Sequence, residues 1–311
     1  MFSVKHIKIC ITTLVMLLFV ICSNIIVFTD EDECDKNQTT IVTINGKLYK
    51  LPLETAVSMI VEKEMGSKFS TEAIRAQAIA VRTYTLWCNE HRIYPSVIYK
   101  EPSKKVKAAV DDVCGLILCY NERNKKIAFT PYCASVAGRT NKASDIWENG
   151  DAKYDTISVE SKYDYQAPNY KTQCVYSLEE IKTLFKEKWG LILDNVVPQD
   201  MFKVLTKTTG DYNGKMLVGS YSTYYNKSLN KVIDITGRRI REEVLSKLKS
   251  PKFEIQYDDE KEEFLFTSYG FGHGVGMSQI GADLYSKREN MSYKEILNHY
   301  FPDCYTKNIA E

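Results

Sequence analysis

From residue 40 onward, hydrophobic and polar positions recur with short, readable periods. Thr40 to Leu51 alternates around Asn45-Gly46, which predicts a strand pair closed by a tight turn. Pro52 then opens a helix whose apolar positions are Leu53, Ala56, Val57, Ile60 and Val61, the spacing of one buried face. Continued by one turn, that face reaches Glu64, so a carboxylate stands where the period asks for an apolar residue. Thr71 to about His91 predicts a second helix, with Ser70 as N-cap and small residues at Ala73, Ala76, Ala78 and Ala80 for close packing. The intervening turn, Gly66-Ser67-Lys68-Phe69, places Glu64 beside the start of that helix.

Further along, Val106 to about Ile157 reads as mixed strand and loop, and Ser177 to Trp189 as helix. Val204 to Thr223, Lys231 to Asp234 and Phe253 to Tyr269 read as strands, with a helix from Thr236 to Leu248. Short helices close the chain, the last from near Ser292. Helices and strands are segregated rather than alternating, which gives an α+β class with helices packed on antiparallel, mixed sheets.

Ahead of this pattern lies a charge-free apolar run, Ile9 to Phe28, long enough for a bilayer core of about 30 Å. Lys5, His6 and Lys8 precede it, and Asp30, Glu31, Asp32 and Glu33 follow. That asymmetry predicts a single-pass anchor at 9–28 in the cytoplasmic membrane, a cytoplasmic N-terminus within 1–29, a linker over 30–40 and an extracytoplasmic domain over 41–311. No small-residue cleavage site follows the run, and Ile21 stands where a lipoprotein signal around Cys22 wants a small residue.

The formal net charge of +1 argues against nucleic acid as a partner, because phosphate binding leaves a basic excess. The 21 tyrosines suit stacking on sugar faces as well as strands and cores. Of the 9 cysteines, Cys10 and Cys22 fall in the apolar run. The odd number outside it leaves at least one thiol without an intrachain partner. Cys88, His91, Cys114 and Cys119 lack firm zinc spacing, so neither metal nor cofactor is expected.

The densest signal is Ser268-Tyr-Gly-Phe-Gly-His-Gly-Val-Gly-Met-Ser-Gln-Ile-Gly-Ala282. Gly270, Gly272, Gly274 and Gly276 allow close backbone approach around His273. A dinucleotide fingerprint needs a following βαβ unit, for which the remaining chain has no room. A glycine-rich crossing of two strands, with His273 as a hydrogen-bonded core residue, remains as open as a ligand loop. A cysteine peptidase built on Cys133 and His273 lacks an orienting third group.

Three segments together resemble the stage II sporulation protein D / LytB family. They are Val61-Glu-Lys-Glu-Met65 with Glu72-Ala-Ile-Arg-Ala-Gln-Ala-Ile-Ala-Val-Arg-Thr-Tyr84, then Tyr132-Cys-Ala-Ser-Val-Ala-Gly-Arg-Thr140 with Trp147, then the glycine run. Tyr293-Lys-Glu-Ile-Leu-Asn-His-Tyr-Phe-Pro302 is similar to the family's ending. Gly66 stands where the family has proline, Ala137 where it has glycine, and Cys133 where many members have histidine. The zinc pattern of some members is missing from His91 to Val106.

The resemblance implies lytic transglycosylation of peptidoglycan glycan strands, in engulfment during sporulation and beside a cell-wall amidase and other engulfment membrane proteins. It places the catalytic acid at Glu64. On chemistry, a carboxylate on an apolar helical face is expected to be partly desolvated and its pKa raised toward neutrality. One carboxylate then serves as acid and afterwards as base, so a pair is not required. Gln77, Arg82, Tyr84, Ser135, Thr140, His273, Ser278 and Gln279 are the candidate substrate-binding residues. A rival from another class is a LytB-like wall-binding enhancer of an N-acetylmuramoyl-L-alanine amidase that cuts nothing.

Overall fold

A computed structural model describes residues 38–121, 126–147, 156–220, 225–226 and 231–310. The apolar run 9–28 lies outside them. Among the described residues, no helix is long and apolar enough to cross a membrane.

The hairpin forms as its alternation predicts: β1 (Thr39–Ile44) pairs antiparallel with β2 (Lys47–Pro52) through Asn45 and Gly46, both at positive φ. Helix α1 (Leu53–Glu64) and helix α2 (Thr71–Glu90) follow, and Ser70 Oγ caps α2 by accepting from Ala73 N–H at 3.3 Å. Helix α3 (Lys104–Asp111) occupies part of the stretch expected to be strand and loop. Its buried side is only Val106, Ala109 and Val110, and the three lysines around them mask the period.

Strand β3 (Leu116–Tyr120) pairs with the last strand of the chain, and β4 (Tyr132–Cys133) with a strand of the glycine run. After the short helix α4 (Ala143–Ile146), β5 (Lys171–Ser177) leads into α5 (Leu178–Trp189), which Ser177 and Glu180 start with a reciprocal capping box. The strand expected over 204–223 is two short ones, β6 (Phe202–Val204) and β7 (Met216–Val218), joined by a loop. Strands β8 (Tyr225–Asn226) and β9 (Lys231–Val232) form a further pair. The helix expected over 236–248 is shorter: α6 (Gly237–Arg239) widens into a π-type turn at Ile240–Val244 and stops at Leu245.

Strands β10 (Phe253–Asp258) and β11 (Glu263–Tyr269) make, with β5, an antiparallel three-stranded sheet in the order β10-β11-β5. Then come β12 (Met277–Ser278), α7 (Gln279–Glu289), α8 (Tyr293–Tyr300) and β13 (Cys304–Asn308), the strand that joins β3. The α+β class is therefore observed, with small and mostly antiparallel sheets; β12 and β4 run parallel.

Among the described residues two large hydrophobic cores result, beside a small cluster of Ala143, Ile146 and Val275 on which Phe129 and Trp147 pack. One gathers α1, α2, α3, β3, α7 and α8 around residues such as Val57, Ile74, Ile79 and Ile296. The other gathers Tyr176, Phe185, Phe264, Phe266 and Ile240 between α5, the π-type turn and the three-stranded sheet. The 131–141 segment joins them: Ala137 N–H donates to the buried Tyr212 hydroxyl at 2.8 Å, and Gly210 N–H to Asn141 Oδ1 at 3.0 Å.

Candidate functional site

Glu64 is the last residue of α1, and its carboxylate is exposed. The expected desolvation is therefore a correction: the helix face that buries Val57 and Val61 ends at residue 64 and leaves that residue exposed. The buried carboxylate of this helix end is Glu62, at 7% exposure. Glu62 accepts from Ser103 N–H at 3.1 Å and Ser103 Oγ at 2.9 Å, and pairs with Lys100 at 3.1 Å. Burial raises its pKa, but the Ser103 and Lys100 bonds outweigh that and hold it below the usual carboxylate value. Gly66, at φ +70, closes the helix by donating to Val61 O at 3.2 Å.

The glycine run passes alongside 131–141. Ser135 and Phe271 exchange backbone bonds of 3.1 and 2.9 Å, Asn141 N–H donates to Gly274 O at 2.7 Å, and β12 pairs with β4. The strand-crossing reading thus describes the backbone, and it explains the glycines. A Cβ on Gly276 would lie 2.0 Å from Pro131 O, and one on Gly274 would lie 2.7 Å from the Tyr212 ring. This crossing delivers Gln279 to the end of α1, where its Nε2 donates to Glu64 Oε2 at 3.2 Å.

Ser278 caps α7 by accepting from Gly281 N–H at 3.0 Å, and its hydroxyl donates to Asp164 Oδ1 at 2.7 Å. Asp164 is fully buried and also accepts from Val136 N–H at 3.0 Å. Burial pushes its pKa up to about 6, although Ser278, Val136 and Ser161 bond to it. Asp164 thus ties both sides of the crossing to a third segment. Nothing local marks it in Ser161-Lys-Tyr-Asp-Tyr-Gln166, because its partners are remote in sequence.

Several candidates lie beneath the surface. Arg82 is 0% exposed, forks onto both carboxylate oxygens of Glu54 at 2.6 and 2.5 Å, and donates to Leu116 O at 2.9 Å. Gln77 is equally buried, with neither amide atom hydrogen-bonded. Thr140 is spent on Val159, whose N–H it accepts at 2.8 Å, and Ser135 on Phe271. In this conformation these four support the crossing or the helix bundle and present no free group at the surface.

Tyr84 is half-buried, edge-on to Tyr132 at 6.0 Å. Desolvation, and after it the nearby Glu64 charge, push the Tyr132 hydroxyl pKa well up. His273 packs against Trp147 at 5.0 Å. Its Nδ1 accepts from Val275 N–H at 3.1 Å, so the neutral ring carries its proton on Nε2. Desolvation, aided by the Arg241 charge, lowers the His273 pKa to about 4. Burial pushes the Cys133 thiol up to about 12, the opposite of what a nucleophile needs. The peptidase reading falls on that. Cys114 is disulfide-bonded, and Cys88, Cys119, Cys133, Cys174 and Cys304 carry thiols. Among the described residues, no three His, Cys, Asp or Glu gather as a metal site.

A family profile described as Stage II sporulation protein matches residues 43–120, the segment holding α1, Glu64 and α2. The chain is 28% identical over 286 residues to stage II sporulation protein D of Bacillus subtilis (strain 168), covering 83% of this chain and 75% of the relative. It is 29% identical over 293 residues to the protein of the same name from Bacillus amyloliquefaciens, with the same coverage. It is also 22% identical over 284 residues to an amidase enhancer of Bacillus subtilis (strain 168), covering 78% of this chain but only 39% of that relative. The matches to the sporulation proteins extend well beyond the profile segment, and the chain resembles the stage II sporulation protein D family over most of its length.

Proposed function

We propose that the protein is a peptidoglycan lytic transglycosylase of sporulation, anchored by 9–28 in the cytoplasmic membrane with its domain outside. The observation that carries this reading is Glu64: an exposed carboxylate at a helix end, oriented by Gln279 from the far end of the chain. A general acid has to reach its substrate, and of the two carboxylates at this helix end only Glu64 is open to it. A glycan laid over it supplies the desolvation that the free protein lacks.

In the reaction, protonated Glu64 gives its proton to the oxygen linking MurNAc to GlcNAc. The bond from the anomeric carbon of MurNAc to that oxygen breaks, and GlcNAc leaves with the proton. The MurNAc 6-hydroxyl oxygen bonds to the same carbon and passes its proton to the Glu64 carboxylate. The acid is restored, and a 1,6-anhydro sugar forms without water.

The second reading is an enhancer that binds the wall and stimulates an amidase; the 22% identity to an amidase enhancer favours it. The muropeptide products of purified protein on glycan strands separate the two. Anhydro ends support the transglycosylase, whereas amidase stimulation without them supports the enhancer.

A further inference from the structure

The domain begins with a small sheet that has one buried and one open face. Segment 95–97 adds to the second edge of β1: Thr43 N–H donates to Pro95 O at 2.9 Å, and Val97 N–H to Thr43 O at 2.7 Å. Val42, Leu51 and Val97 point into the first core. On the other side Thr43 stands between Leu48 and Ser96, and Ile98, two residues beyond Ser96, shares that side. Leu48 and Ile98 are 52% and 59% exposed, and Ile93 and Tyr99 of the same segment 50% and 60%. Residues 39–50 and 91–100 also hold Lys47, Lys50, Arg92 and Lys100 but no Asp or Glu, in a chain whose 41 bases are matched by 40 acids. Lys100 pairs with Glu62, whereas Lys47, Lys50 and Arg92 form no ion pair with a described residue.

We propose that this face rests on the outer surface of the membrane that holds the anchor, with Leu48 and Ile98 at the boundary of headgroups and acyl chains and Lys47, Lys50 and Arg92 on anionic headgroups. The inference rests on reading 9–28 as the anchor and adds how the domain sits on the bilayer. Only Thr29 to Gln38 separates the apolar run from β1, a reach of at most about 36 Å even when fully extended. So short a tether holds the face at high effective concentration beside lipid, where a few apolar and basic side chains suffice. Unpaired bases around exposed apolar residues match an anionic interface in both charge and polarity. The acidic tether itself, Asp30 to Asp35, matches the charge but brings no large apolar side chain to cover Leu48 and Ile98. Because Lys100 joins the same segment to Glu62 of α1 at 3.1 Å, a face held on the bilayer also fixes the heading of the helix that ends at Glu64.

The test reconstitutes full-length protein into vesicles of equal parts phosphatidylcholine and phosphatidylglycerol, with a benzophenone amino acid placed at Leu48, at Ile98 or, as a control, at Ile192. Ile192 is as exposed as Ile98, at 59%, but follows α5 beside the second core. Illumination is expected to join lipid to positions 48 and 98 and to leave 192 at background. Lys47→Glu/Lys50→Glu, and vesicles of phosphatidylcholine alone, are each expected to lower the lipid adducts at least about fivefold. The neutral vesicles keep the charge test alive if the variant misfolds. Flotation of the same vesicles reads the anchor separately. Protein that floats with the vesicles but yields no more lipid adducts at 48 and 98 than at 192 would overturn the contact and leave the anchor standing. Protein that does not float would overturn both. Adducts to the acidic tether or to a second copy in place of lipid would overturn the bilayer as occupant, and adducts unchanged in neutral vesicles would overturn the headgroup contact.

Discussion

Glu64 and Gln279, 215 positions apart in the chain, share a hydrogen bond of 3.2 Å. Gln279 is 3% exposed and fixed at the start of α7, so it is the better-held partner and sets where the carboxylate points. A hydrogen bond to a charged group contributes about 1.5 kcal/mol or more. Gln279→Leu, close in volume, is therefore expected to lower the melting temperature by a few degrees and, by releasing the carboxylate from its set direction, to lower kcat about tenfold. A kcat equal to wild type would show that the bond does not position the acid.

Arg82 and Glu54 form the opposite kind of pair, with the Arg82 side chain fully buried and that of Glu54 12% exposed. Removing one partner of a buried ion pair costs about 3–5 kcal/mol. Arg82→Met is expected to lower stability by that order in denaturant unfolding while the folded fraction keeps its glycan affinity. Normal stability with lost affinity would instead make Arg82 a substrate contact.

The glycine crossing makes a graded prediction. Gly46 sits at φ +76 with no atom within 4 Å of where a Cβ would stand, so Gly46→Ala is expected to cost only the backbone strain, about 1–2 kcal/mol. At Gly276 the added methyl would lie 2.0 Å from Pro131 O, so Gly276→Ala is expected to cost several-fold more and to loosen β12 from β4. Equal melting temperatures for the two variants would contradict the close approach.

Asp164 carries a pH dependence of its own. Folded, it keeps its proton up to about pH 6, whereas the unfolded group releases it near 3.8. Between those values the native state binds more protons, so the contribution of Asp164 is full at low pH and is lost as pH rises from about 4 through 6. Asp164→Asn removes it. The stability of wild type minus that of the variant is expected to fall by about 2–3 kcal/mol from pH 4 to pH 7. A difference that stays flat across this range would place Asp164 in a wetter setting.

The parts legible in the sequence were those governed by local rules. Helix α2 carries its own cap and period, and the hairpin its own turn. Strand β13 was not legible, because its partner β3 lies far back in the chain and its side chains are mostly half-buried. The period of α1 brought Glu64 to notice but misjudged its surroundings. What buries a carboxylate there is the return of Lys100 and Ser103 over Glu62, a long-range event without a periodic trace. The motif residues Arg82, Gln77 and Thr140 were legible as a group, but whether they face solvent or core depends on packing that spacing alone does not record.

The account stands most directly on Glu64. Muropeptide mass spectrometry after incubating glycan strands with wild type, Glu64→Gln and Glu72→Gln tests it, Glu72 being engaged by Tyr293 N–H at 2.8 Å and by Arg75. The account predicts anhydromuramic ends from wild type, about 100-fold or more fewer from Glu64→Gln, and far less loss from Glu72→Gln. Undiminished anhydro product from a folded Glu64→Gln protein would contradict it.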